Sequence, residues 1–317
     1  MAEGREAEYH SNDFRWEELR EEVESDPSLR YHLSPFSAPP NSAPPPSPDA
    51  WRSFHRRHST GKFFKERRYL LKEFPELAPS DGDSVANVLE VGCGNGSTVL
   101  PILRAKHSVV VYACDCSAEV LETAKETIAT ANIGPIKHRF HPFLLEFSVN
   151  PFPNWLFCAN CQKMPLANPT GFFSGANPDN MSGSTSLKGS QCCIGGVDFI
   201  TLIFTLSAVP FRKMPFVIKE CFSVLRPGCL LLFRDYGLYD MTMLRFPVEQ
   251  RVGFREYLRS DGTLSYFFSL DILRDLFLCA GFVELELDYC CVRSVNRRSG
   301  KKMQRVWVHG KFQKPMT

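Results

Sequence analysis

The chain has 317 residues, 44% of them hydrophobic, a formal net charge of +2 and 12 cysteines. That is enough apolar side chain for one large domain or two small ones, and because no run of about 18 apolar residues occurs, no membrane helix is expected. With no secretory leader pattern at the start, the cysteines are expected as reduced thiols in the cytoplasm, with the nucleus as a second compartment, and not as a disulfide framework.

Residues 1–50 read as an acidic, then proline-rich tail. Glu17, Glu18, Glu21, Glu22, Glu24 and Asp26 surround Phe14, Trp16, Leu19 and Val23. That pattern fits a short amphipathic helix or a solvated, disordered tail, and we expect disorder for the tail as a whole. Residues 34–48 are too rich in proline to pack and read as a stiff linker. The composition then turns basic and aromatic over 51–80: Trp51, Arg56, Arg57, Lys62, Phe63, Phe64, Lys65, Arg67 and Tyr69. Cations interleaved with rings suit a polyanion whose bases can stack, and Phe63-Phe64 and Leu70-Leu71 read as packing anchors.

Residues 81–317 read as one α/β domain. Strand Val85–Val91 leads to helix Ser97–Lys106, and strand Ser108–Asp115 to helix Ser117–Asn132. Ile136–Leu145 is a third strand, edged by Pro142. Residues 150–196 break the rhythm and are expected as a surface insertion. Strand Val197–Phe204, helix Phe211–Leu225, a turn at Arg226-Pro227-Gly228, strand Cys229–Arg234 and helix Leu270–Ala280 follow. Phe282–Val295 and Val306–Phe312 close the domain as a hairpin. This order predicts a mostly parallel sheet with one antiparallel strand at the end.

The stretch Glu90-Val91-Gly92-Cys93-Gly94-Asn95-Gly96-Ser97 is a strand running into a glycine turn and a helix start. Gly92 and Gly94 let a ligand approach bare backbone, at the strand end where nucleotide-like ligands bind in open α/β sheets. The G-x-G-x-G spacing departs from the dinucleotide fingerprint, and no G-K-[ST] follows for a nucleoside triphosphate. Asp115, ending the second strand, is placed to accept hydrogen bonds from a ribose. Cys158-x-x-Cys161 is half of a zinc knuckle, but adjacent Cys192-Cys193 is an awkward second half, so no metal is expected.

The Gly loop with Glu90 and Asp115 resembles class I S-adenosylmethionine-dependent methyltransferases. Three longer stretches narrow the resemblance. They are Trp51-x-x-Phe54-His55 with Phe63-Phe64-Lys65-Glu66-Arg67, Arg234-Asp235-Tyr236-Gly237-Leu238-Tyr239-Asp240, and Asp261-Gly262-Thr263-x-Ser265-Tyr266-Phe267-Phe268. From Trp51 to about Pro315 the chain is similar to the methyltransferase-like family that makes 3-methylcytidine in tRNA. The resemblance implies a Rossmann-like fold with a seven-stranded, mostly parallel sheet and a terminal antiparallel strand, plus a basic N-terminal helical segment. It implies S-adenosyl-L-methionine as cofactor. Trp51 and His55 would lie over it, Glu90 and Gly92 at its methionine end, Asp115 at the ribose, Glu146 at the adenine amino group and Ile203 on the adenine face. His55 and Arg52 stand where the family usually has Tyr and Asp.

Cytosine N3 carries a free lone pair at neutral pH, so positioning is most of the catalysis. Methylation leaves a cationic ring, which a carboxylate would stabilise. Asp235 is the candidate for that charge, Arg234 for the cytosine carbonyl or a phosphate, and Tyr236 for stacking on the base. Arg56, Arg57, Lys62, Lys65 and Arg67, together with Arg297, Arg298, Lys301 and Lys302, are the candidate RNA contacts. The expected partner is tRNA, with an aminoacyl-tRNA synthetase left open; neither DNA nor a membrane is expected. The competing readings are a methyltransferase acting on a protein or small molecule, and a non-catalytic RNA- or synthetase-binding module.

Overall fold

The computed structural model describes residues 12–36, 49–57, 66–78, 85–105, 108–131, 133, 138–158, 193–295, 300 and 302–316. Its centre is a seven-stranded sheet. β1 (Ala86–Val91), β2 (Val109–Asp115), β3 (Phe140–Leu144), β4 (Val197–Ile203) and β5 (Leu225–Tyr236) are joined by β9 (Val283–Val295) and β10 (Lys302–Gln313). The order across the sheet is β3-β2-β1-β4-β5-β10-β9. β1 to β5 run parallel, while β10 is antiparallel to both β5 and β9. The seven-stranded sheet with its last strand reversed is therefore as expected. Pro142, which donates no ladder bond, sits in the edge strand β3.

Strand alternation sends neighbouring residues to opposite faces. One face packs Val88, Val111 and Leu232 against α4 (Leu70–Glu73), α5 (Val99–Ala105) and α6 (Ala118–Ala129). The other packs Leu89, Leu231 and Phe233 against α7 (Met214–Val224) and α8 (Leu270–Cys279). α6 starts where Ser117 accepts the Val120 N–H at 3.3 Å, an N-cap. α8 is stopped at Gly281, whose φ is +100°. Among the described residues no helix is long and apolar enough to cross a membrane.

Three expectations are corrected, and one sheet is added. The acidic tail is not wholly disordered: α1 (Trp16–Ser25) and α2 (Arg30–Leu33) are folded. Phe14, Leu19 and Val23 are buried with Leu238, Met243 and Phe246 in a third apolar cluster. Trp16 stacks on Tyr289 with centroids 4.6 Å apart and donates its indole N–H to the Leu238 carbonyl at 3.1 Å. The expected insertion starts later than residue 150, because Phe152 and Leu156 pack into the α7–α8 core and the Gly196 N–H closes back onto the Leu156 carbonyl at 2.8 Å. Arg226-Pro227-Gly228 lies inside β5, where the register with β4 jumps from Val197↔Leu225 to Phe199↔Leu230; it is a bulge and not a separate turn. Finally, β6 (Arg251–Gly253), β7 (Glu256–Leu258) and β8 (Leu264–Tyr266) form a small antiparallel sheet that the sequence reading missed. Strands of three residues are too short to show a period.

Candidate active site

The site is built at the carboxyl ends of β1, β2, β4 and β5. Gly92 and Gly94 have φ of +70° and +52°. A Cβ on Gly92 would lie 2.6 Å from Thr205 Cγ2, whereas one on Gly94 would meet nothing within 4 Å. Gly92 is therefore required by the protein itself, and Gly94 borders open space. Asp115 staples the loop: its carboxylate accepts the Gly94 N–H at 3.0 Å and the Ser117 N–H at 3.1 Å.

The basic helix α3 (Ala50–Arg57) covers this point. Its positions 51 and 55, one helical turn apart, share a face. His55 Nε2 stands 3.9 Å from Asp115 Oδ1, and the Trp51 indole lies beside His55. The indole N–H is buried without a hydrogen-bond partner. Arg52 anchors the helix by donating to the Cys116 carbonyl at 3.2 Å. Glu146, just past β3, is half-buried and accepts from Ser148 at 2.8 Å; the Cys116 thiol is pushed up by burial first, and then by the charges of Asp115 and Glu146. Glu146 therefore lies on the Asp115 side of the site. Ile203 ends β4 with its side chain packed into the α4–α6 core.

Two buried carboxylates flank the loop. Glu90 pairs with Thr201 across β1 and β4 and accepts its hydroxyl hydrogen bond. Burial pushes its pKa up to about 8, against the pull of Thr201 and Arg67. Asp235 accepts the Ser207 N–H at 2.9 Å and the Tyr236 N–H at 2.8 Å. Burial raises its pKa to about 6, opposed by these bonds and by Arg67. Asp235 is fully sealed from solvent, so its effect on a base would come from fixed charge and not from an open contact. Tyr236 is half-buried beside Phe204 at 5.1 Å, with the Arg259 guanidinium 5.8 Å from its ring. Phe204 adopts φ of +55°. This left-handed conformation in a bulky residue marks strain held at the site.

Two sequence assignments are corrected here. Arg234 is not available to a cytosine or a phosphate: it is buried in an ion pair with Glu73 of α4. Adjacent positions on β5 point to opposite faces, so Arg234 and Asp235 do not pair with each other. Arg67, expected among the outer basic residues, stands at the glycine loop. Its backbone N–H donates to Ser97 at the end of the glycine loop, 2.9 Å. Its guanidinium lies 4.8 Å over the Phe204 ring, and its charge offsets a small part of the rise that burial gives Glu90 and Asp235. The sequence signal for this was present in its motif, but the basic run around it pointed to RNA.

Arg56 and Arg57 are exposed on the other side of α3. With Ala50, Ser53, Asp261 and Gly262 they line a cavity of about 340 Å³. Lys302 opens β10, paired with Val295. Lys62, Lys65, Arg297, Arg298 and Lys301 lie outside the described residues, as do Cys161 and Cys192. Among the described residues no three His, Cys, Asp or Glu side chains are grouped to hold a metal.

A family model described as a methyltransferase domain matches residues 63–287. The tRNA N(3)-methylcytidine methyltransferase Mettl2 of Drosophila melanogaster is 34% identical over 276 residues, covering 85% of this chain and 72% of the relative. The tRNA N(3)-cytidine methyltransferase METTL6 of Homo sapiens is 33% identical over 267 residues, covering 84% and 79%. A crystal structure of a SAM-dependent methyltransferase from Anabaena variabilis superposes with a TM-score of 0.54 at 13% identity, covering 89% of this chain and 100% of that one. It is a likeness of fold. On these matches, with the glycine loop and its two acids set at the strand ends as the fold requires, the chain belongs to the tRNA N(3)-cytidine methyltransferase family.

Proposed function

We propose that the protein methylates N3 of a cytidine in the anticodon loop of certain tRNAs, using S-adenosyl-L-methionine. The observation that carries this reading is the convergence, at one end of the sheet, of the Asp115-stapled glycine loop and a buried carboxylate behind an aromatic shelf. The space at Gly94 and the unsatisfied Trp51 N–H fit a nucleoside ligand. Asp115 would hold the ribose hydroxyls, with Trp51 and His55 above and Glu146 beside them. Glu90 would face the methionine ammonium and Arg67 its carboxylate. When bound, the cofactor supplies an electrophilic methyl group on a sulfonium.

The chain's own work is then positional and electrostatic. Tyr236 and Phe204 offer ring faces to an unstacked base. The Asp235 pKa of about 6 leaves it ionised at neutral pH, a preorganised negative charge for the cation formed at N3. No general base is required, because N3 carries no proton. RNA beyond the target base would meet Arg56 and Arg57 on α3 and the basic residues between β9 and β10. β10 runs antiparallel to β5, with Trp307 opposite Tyr236, so its start at Lys302 lies toward the site end of the sheet. An aminoacyl-tRNA synthetase is the partner class left open for the choice among tRNAs.

The test is incubation of purified protein with the cofactor and unmodified tRNA, with and without synthetases, followed by nucleoside mass spectrometry. 3-Methylcytidine in the anticodon loop is expected. Methylation at another cytosine atom, or none under either condition, refutes the proposal. A product equal in the two conditions removes the synthetase.

A further inference from the structure

The segment that carries Arg67 is bolted to the sheet by charge as well as by apolar packing. Leu70, Phe74 and Leu77 are buried in the α4–α6 core, which is enough to hold the segment down. Glu73 nevertheless meets Arg234 there, both fully buried, and His309 Nδ1 stands 3.2 Å from the same carboxylate. A second bolt joins Glu76 to Lys311 at 2.7 Å. A buried ion pair gains little over apolar groups of the same size, since desolvation offsets the attraction. What it does supply is direction.

The direction leads to Arg67. The Arg234 guanidinium lies 5.2 Å from the Tyr69 ring centroid. The Tyr69 hydroxyl accepts a hydrogen bond from Arg67 at 3.1 Å. Glu73, Arg234, Tyr69 and Arg67 thus form a contiguous chain from the buried pair to the glycine loop. We propose that Glu73 and Arg234 are positioning residues that set the Arg67 guanidinium at the methionine end of the cofactor site, and so control cofactor affinity without touching cofactor or base. The proposal rests on the reading of Arg67 given above.

The test is calorimetric binding of S-adenosylhomocysteine to the full chain, in a mutant cycle. Replacing both partners, Glu73→Met with Arg234→Met, removes the charges while leaving the volume filled, so the fold should survive; thermal unfolding checks this. Kd is expected to rise about tenfold, within the usual range for coupled sites. Arg67→Ala in the wild-type background should weaken binding by a similar factor, and in the double-variant background should add nothing. Turnover of the double variant at saturating S-adenosylmethionine should stay within about twofold of wild type, as for an interaction that binds ground and transition states alike. A folded double variant with wild-type affinity, or an Arg67→Ala effect that adds in full, overturns the proposal. An Arg67→Ala variant with unchanged affinity in the wild-type background instead removes the reading of Arg67, and the proposal with it. Should the double variant not fold, Tyr69→Leu breaks the chain at a half-buried position and must show the same weakening and the same loss of additivity; wild-type affinity there overturns the proposal too.

Discussion

At Glu90, burial and hydrogen bonding pull in opposite directions, and burial wins: the pKa of about 8 leaves the group protonated at pH 7. A cationic ammonium arriving beside it would favour the carboxylate, so cofactor binding at pH 7 should release up to about one proton. Calorimetry in buffers of different ionisation enthalpy should show that release, and Glu90→Gln should lose it. Above about pH 9, where the free group is already ionised, the release should vanish. A binding enthalpy independent of buffer at pH 7 would place Glu90 away from the methionine end. Asp235 gives a second pH signature. Its pKa lies at about 6, so turnover should fall as pH drops through 6 and the charge is lost. Asp235→Asn should cut turnover above pH 6, with the deficit closing as the wild-type group is itself protonated, while cofactor affinity stays near wild type. Because both carboxylate oxygens accept backbone N–H groups, the amide of the variant would face one of them, and stability must be measured alongside. A variant that turns over normally makes Asp235 structural. For both acids the folded pKa is raised, so the folded state holds the extra proton. Their contribution to stability is complete below their ordinary values, near 4, and is lost as pH rises toward 6 and 8.

The N-terminal elements show how apolar burial and charge divide the work. Fully burying Leu70, Phe74 and Leu77 is worth roughly 5–9 kcal/mol in area terms, whereas the net worth of a buried ion pair is near zero or negative. Adhesion of α4 is therefore apolar, and its orientation is set by Glu73. α1 follows the same logic with its charges outward: Leu19 and Val23 face the core while Glu17, Glu18, Glu21 and Glu22 face solvent. Leu19→Ala should destabilise by about 2–4 kcal/mol, the usual effect of a truncated buried leucine. The readout is the denaturant midpoint at constant slope. A change near zero would mean that α1 is not docked in solution.

For the whole molecule, the net charge of +2 conceals a separation of sign. The acidic N-terminal helix packs beside Leu238 and Tyr239, while Arg56 and Arg57 of α3 are exposed, and our proposal gives them and the basic stretch 297–302 to a polyanion. Each phosphate contact releases counterions, so tRNA binding should weaken steeply with salt. Such contacts carry affinity but little sequence information. Neutralising Arg297, Arg298, Lys301 and Lys302 together should lower tRNA affinity and flatten its salt dependence, with cofactor affinity unchanged. Binding equal to wild type at two salt concentrations would confine RNA recognition to α3 or to a partner protein.

What the sequence by itself determined was local in origin. β-Branched runs marked the strands, Ser117 marked a helix start, and the glycines marked a turn that only positive φ allows. Asp115 could be placed because it ends a strand, and a strand end in an α/β sheet has a known side. The tertiary structure decided what depends on partners far away in the chain. Arg234 reads as an exposed, substrate-facing cation until Glu73, 161 residues earlier, is brought against it. Phe14, Leu19 and Val23 are too few to form a core alone, and they fold because Leu238, Met243 and Phe246 offer them one. The strands β6 to β8 exist only through their pairing with each other. A residue's own period can show which way it points, but only packing chooses what it meets there.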